Sequence, residues 1–253
     1  MLFRWFLIIG LCYSGFAIGC GQPKSTEPVK KKKQATVKEP GKVTPNPTGT
    51  SAKVNLRDEK VSLAEVAGRP DANRIEVLEA GHSKLMDEDL KVLPRFAALK
   101  SLELKVNSSL TDEGLKHIAN LSQLESLSLF YCPLITGNGL EHLKSLKKLK
   151  KLDIGNNKLI KDEDLVHLQS LESLIELRCS PLLEMTDAGL KTIAQLESLQ
   201  QLRIGSKKLT DDGLLALASL KNLKLLLLTK GSTITEEGMT KLKQALPQCK
   251  IIQ

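Results

Sequence analysis

Leu149-Lys150-Lys151-Leu152-Asp153-Ile154-Gly155-Asn156-Asn157 decides the reading of this chain. Apolar and polar residues alternate from Leu152 to Ile154, the pattern of a short strand with one buried face. The same L-x-x-L-x-L arrangement begins at Leu99, Leu124, Leu149, Leu174 and Leu199, each 25 residues after the last, and again at Leu223. A second motif follows each copy. Thr111-Asp112-Glu113-Gly114-Leu115 recurs with variations from Thr136, Lys161, Thr186, Thr210 and Thr235, and an earlier copy is Met86-Asp87-Glu88-Asp89-Leu90. Repetition in register on this scale is not chance.

The second motif reads as a helix start. Thr is a good N-cap, and the acids fall where a helix N-terminus is positive. Leu115, Ile118 and Leu121 then line one side of a short helix. Each unit is strand, turn, helix and return, and buries its leucines only by stacking on its neighbours. Composition agrees: aromatic residues make up only 3% of the chain, so aliphatic side chains must build the core.

The unit resembles the leucine-rich-repeat family, in particular its cysteine-containing type, over about residues 75–253. The resemblance implies a curved α/β solenoid of about seven repeats. Its parallel sheet would lie on the concave face and its short helices on the convex face. The family pattern places Asn or Cys after the strand, where Asn107, Cys132 and Asn157 fit. Leu182, Lys207 and Gly231 depart from it, so differently bonded turns are expected in the C-terminal half. At the ends, a first strand is expected near Ile75 to Leu78, after an irregular stretch from Val61, and a last edge strand is expected to carry Ile251.

The repeats are expected to form one domain with its caps over residues 58–253. Ahead of it, residues 1–19 read as an export signal: one charge at Arg4, then an uncharged apolar run from Trp5 to Ile18. Ala17-Ile18-Gly19-Cys20 resembles the lipobox of bacterial lipoproteins, which implies lipidation at Cys20. Ordinary secretion and an uncleaved anchor are the alternatives. Gly21 replaces the Asp that favours inner-membrane retention, which implies attachment to the outer membrane of the cell envelope. Residues 20–57 carry five prolines and the run Lys30-Lys31-Lys32-Lys33, and read as a disordered tether. The net charge is +8, of which this tether supplies +7 and Arg4 the rest. The folded part is therefore balanced, which argues against nucleic acid as a partner. The tether lysines either face anionic lipid or cell-wall polymer, or keep the segment solvated.

The outward strand positions define the expected partner-binding face: Glu103, Lys105, Phe130, Tyr131, Asp153, Arg178, Arg203, Leu225 and Leu227. Phe130 and Tyr131 are, with Phe96, the only aromatics beyond residue 20, and interfaces favour aromatic anchors. Leu225 and Leu227 read as exposed leucines near the C-terminal end of that face.

Other groups invite chemistry that their repetition argues against. His117, His142 and His167 fall on successive helices, too far apart to share an ion. The acidic pairs at the helix starts read as caps. Cys132, Cys179 and Cys249 are expected as free thiols. No nucleophile elbow, phosphate loop or metal-binding motif is present in the sequence. The expectation is a monomeric, non-enzymatic, exported and lipid-anchored protein-binding module, without catalytic residues, metal or cofactor. The alternative is an envelope-structural protein whose basic tether binds anionic polymer or lipid.

Overall fold

The computed structural model describes residues 52–182, 184–229 and 233–253. The expected signal, the Cys20 lipidation site and the tether up to residue 51 lie outside them. The described residues form a nine-stranded parallel sheet in which every strand pairs with its neighbours in chain order. The strands are β1 (Ala52–Asn55), β2 (Ile75–Glu79), β3 (Ser101–Glu103), β4 (Ser126–Ser128), β5 (Lys151–Asp153), β6 (Glu176–Cys179), β7 (Gln201–Ile204), β8 (Leu225–Leu228) and β9 (Lys250–Ile252). β2 and β9 stand where the first and last strands are expected. β1 does not: the tether was expected to run through residue 57. Its Val54 is buried in register with Leu78 of β2, and Asn55 caps helix α1 (Leu56–Glu59). The folded domain therefore begins earlier than the composition of the segment implies.

From β2 to β9 the sheet is in register, and only the β1–β2 pair shifts, between Ala52 and Lys53. Leu78, Leu102, Leu127, Leu152, Leu177, Leu202 and Leu226 align across β2 to β8, and all are buried. At roughly 1.5–3 kcal/mol for each fully buried leucine, this column and its neighbours supply the main drive for stacking. On the other side of the core, α2 (Leu63–Ala67), α3 (Asp112–Ile118), α4 (Gly137–Glu141), α5 (Asp187–Ile193), α6 (Asp211–Ala216) and α7 (Glu236–Ala245) alternate with 3-10 turns at Asp87–Arg95 and Asp162–Ser170. Leu115, Ile118 and Leu121 are buried, as the helical stripe requires.

The helix starts interlock between repeats. Asp112 accepts from the backbone N–H and the hydroxyl of Thr136, one repeat on. Asp87 does the same for Thr111, Asp162 for Thr186, Asp187 for Thr210 and Asp211 for Thr235. The recurring glycine makes room for this carboxylate: a Cβ on Gly139 would stand 2.3 Å from Asp112 Oδ1. The pattern fails once within the array, and the failure is compensated. Gly137 stands where the other repeats have Asp or, in the last, Glu236, so Lys161 has no acceptor from the preceding repeat. Asp164, at the usual glycine position, folds its carboxylate back to accept from the Lys161 N–H at 2.8 Å and fills the space beside Gly137. In the first copy, Asp89 likewise accepts from the Met86 N–H. Both of these repeats carry 3-10 turns in place of an α-helix.

Behind the strands runs a buried ladder. Asn107 donates to the carbonyls of Ala80 and Leu104 and accepts from the Leu85 N–H. Asn157 donates to Leu129 and Ile154 and accepts from the Cys132 N–H. Between them the Cys132 thiol donates to the Leu104 carbonyl. Past β6 the bonding changes, as expected, with Gly231 lying outside the described residues. Leu182 is buried as an apolar residue, its N–H donates to the Gly205 carbonyl, and the Ser206 hydroxyl accepts from the Lys208 N–H.

Candidate functional site

The face of the sheet turned away from the helices carries the polar half of each strand. Its central row runs Asn55, Glu79, Glu103, Ser128, Asp153, Arg178, Arg203, Leu227 and Ile252 across β1 to β9. The row changes character along the sheet. Acids dominate towards β1, two arginines sit side by side on β6 and β7, and aliphatics end it on β8 and β9.

Adjoining hollows open along this face. One over β3 to β6 is floored by Ser128 and Asp153 and walled by Phe130, Lys105 and Arg178. A second reaches from Phe130 past Asp153 and Arg178 to Arg203 and Thr229. A third holds Arg178, Gln201, Arg203, Leu225 and Leu227. Arg178 lines all three and so joins them into one trough.

Most charges in the trough are already paired. Lys105 bridges Glu103 at 2.9 Å. The Arg178 guanidinium bridges Glu176 at 2.6 Å, and Lys151 approaches the same carboxylate at 3.7 Å. That pairing explains why Glu176, on the trough face of β6, is only 8% exposed. Burial pushes the Asp153 carboxyl above its usual value, against the opposing pull of the Gly155 N–H, Arg178 and Arg203. Arg203 is exposed, and its guanidinium has no hydrogen bond or ion pair among the described residues.

The structure separates the two adjacent aromatics. Phe130 is half-buried in the trough, over Gly155, where an added Cβ would stand 3.1 Å from Phe130 Cδ2. Tyr131 begins the turn with a φ of 56°. That left-handed conformation breaks the alternation, and Tyr131 lines none of the three hollows. It stands 42% exposed on the turn edge, with Leu134 and Leu159, which sequence reasoning passed over, at 48% and 46%. Those two leucines occupy equivalent places in consecutive repeats, and only a search of turn positions for apolar residues would have found them. Leu225 and Leu227 do face the trough, but half-buried.

Among the described residues, no three or more His, Cys, Asp or Glu side chains converge as metal ligands would. The expected thiols are free: Cys132 and Cys179 are buried, and Cys249 is partly exposed.

The family model for the leucine rich repeat matches residues 145–168, the unit built around β5. The described residues have the fold of a leucine-rich-repeat solenoid. An internalin from Listeria monocytogenes superposes with a TM-score of 0.51 at 22% identity, over 72% of this chain and 55% of its own. A chain from the Rad7 and Elc1 complex of yeast superposes with a TM-score of 0.53 at 18% identity, over 76% of this chain and 60% of its own. This leucine-rich-repeat chain thus spans little more than half the length of either neighbour, and the likeness is one of fold. No curated protein matches the sequence significantly.

Proposed function

We propose that this chain is a non-enzymatic protein-binding module, exported and lipid-anchored to the bacterial cell envelope through Cys20, with its partner seated in the trough on the open sheet face. The observation that carries the binding half is the trough itself: three hollows joined through Arg178, with the aromatic Phe130 at the centre and leucines at one end. A solenoid sheet offers such an extended surface without further cost to its fold. The yeast neighbour, crystallised within a complex, lends the reading support by analogy of fold. The anchoring half rests on Ala17-Ile18-Gly19-Cys20 and the Lys- and Pro-rich segment after it.

The test is crosslinking in native envelopes, with a photoreactive residue at Ser128 or Gln201 in the trough, or at Lys191 on the helix side. The expected result is a discrete adduct from the trough positions alone. Equal capture from Lys191, or none from the trough, overturns the binding reading. Mass spectrometry of the mature N-terminus tests the anchor: an unmodified Cys20 removes it. A second reading has the basic tether hold anionic polymer or lipid, favoured by the +5 charge of residues 20–51. It predicts release by high salt, whereas an apolar complex in the trough resists it.

A further inference from the structure

We propose that the C-terminal half of the trough recognises an extended acidic peptide segment, with a carboxylate seated on Arg203 and a neighbouring apolar side chain seated on Leu225 and Leu227. The inference rests on the reading of the trough as a protein-binding face and specifies the chemistry of its partner.

Arg178 and Arg203 are direct register partners on adjacent strands. Like charges placed directly opposite one another disfavour folding. Glu176 answers one of them, through two contacts to the Arg178 guanidinium at 2.6 and 2.7 Å. The other makes no ion pair and feels only the more distant Asp153 carboxylate. The Arg203 guanidinium is exposed beside a second cation, with no hydrogen bond or ion pair of its own among the described residues. Its nearest acid along the row, Asp153, lies beyond Arg178. The Arg203 guanidinium can take both oxygens of a carboxylate in a fork, with the positive charge of Arg178 on the adjacent strand adding to the attraction.

The surroundings select a peptide over a polyanion. Lys105, Lys151 and Arg178 on the same face are all committed to Glu103 or Glu176, so the described residues offer no line of free cations to follow a charged polymer. Beyond Arg203 the face turns apolar at once, through half-buried Leu225 and Leu227 to Ile252 at 41% exposure. One anionic seat followed by an apolar shelf suits a segment with Asp or Glu beside a large aliphatic or aromatic residue.

The test is selection of random dodecapeptides from a display library on the intact chain, repeated on Arg203→Glu, Arg203→Gln and Leu227→Ser. Circular dichroism melts check that each variant is folded. The native chain should enrich peptides with Asp or Glu next to an apolar residue, and Arg203→Gln should weaken a selected peptide by about tenfold. Arg203→Glu should shift the selection towards Lys and Arg, and Leu227→Ser should relax the apolar position alone. Peptides that depend on Leu227 but show no acidic preference overturn the carboxylate seat and leave the protein-binding reading standing. Peptides indifferent to every substitution, or no enrichment at all, overturn both. Binding of inorganic polyphosphate that requires Arg203, without peptide enrichment, assigns the seat to a polyanion and also overturns the proposal.

Discussion

Asp112 accepts two hydrogen bonds from Thr136, the backbone N–H at 2.8 Å and the hydroxyl at 2.6 Å, and so ties the start of α3 to the start of α4. A charge-assisted pair of this kind stabilises more than a neutral one. Asp112→Ala should cost about 2 kcal/mol in a denaturant melt. Gly139→Ala carries the sharper prediction. Alanine normally improves a helix by up to about 1 kcal/mol over glycine, but here its Cβ meets the Asp112 carboxylate. Gly139→Ala should therefore destabilise the protein, and much less so in an Asp112→Ala background. Additive losses would mean that the two residues do not share the space.

The break at Gly137 allows the same logic to be tested by transplant. Gly137→Asp alone would drive a side chain into the Asp164 carboxylate and should destabilise the protein strongly. Adding Lys161→Thr and Asp164→Gly rebuilds the pattern of the neighbouring repeats. The triple variant should melt close to the native protein and far above the single one. If it melts no higher than Gly137→Asp, the compensation is not what holds this junction.

These junctions also show where the sequence was legible. Strand register and helix starts depend on alternation and capping within one repeat, and both were readable. Along one repeat, Asp112 looks like dipole compensation; only the next repeat, stacked on it, reveals an acceptor for Thr136. The same blindness hid β1, whose Ala52-Lys53-Val54-Asn55 has a single large apolar residue and is recognisable as a strand only through its pairing with β2. In the trough, alternation placed Phe130, Arg178 and Arg203 correctly. It failed for Tyr131, because the positive φ ends the strand there. It placed Glu176 on the trough face but could not show its burial, which comes from Arg178 and Lys151 at neighbouring positions.

Asn157 should be among the least replaceable polar residues. It satisfies the Leu129 and Ile154 carbonyls and the Cys132 N–H, and is fully buried. Asn157→Leu keeps the bulk and strands three backbone groups, at roughly 1–3 kcal/mol each. A loss below about 1 kcal/mol in a urea melt would show that the turn rebonds as the later repeats do.

The thiols should divide by burial. Desolvation pushes Cys132 to about 11 and raises Cys179 further, and each is buried. Since the thiolate is the reactive form, a disulfide-exchange reagent at pH 8 should leave both untouched in the folded protein and modify both in denaturant. Cys249, partly exposed and less perturbed, should react first. Rapid native labelling of Cys132 would mean that the ladder behind β4 opens on the timescale of the assay.

Asp153 and Asp211 should respond to pH in opposite directions. Hydrogen bonds from the Thr235 hydroxyl and N–H hold Asp211 below its usual value. A depressed carboxyl adds stability above the unfolded value of about 3.9, and that stability is lost as pH falls through the lower folded value. Burial raises Asp153. Its folded state binds the proton more tightly than the unfolded chain does, so stability declines as pH rises from about 3.9 through the raised folded value. Asp153→Asn removes that penalty and keeps an oxygen for the Gly155 N–H, which Asp153 Oδ1 accepts at 3.0 Å. The variant should therefore melt above the native protein at pH 7, and the gap should close on acidification to about pH 3.5. A variant less stable at pH 7 would mean that Arg178 and Arg203 need the Asp153 charge more than the trough resists it, which would in turn make Asp153 a functional counter-charge to the arginine pair.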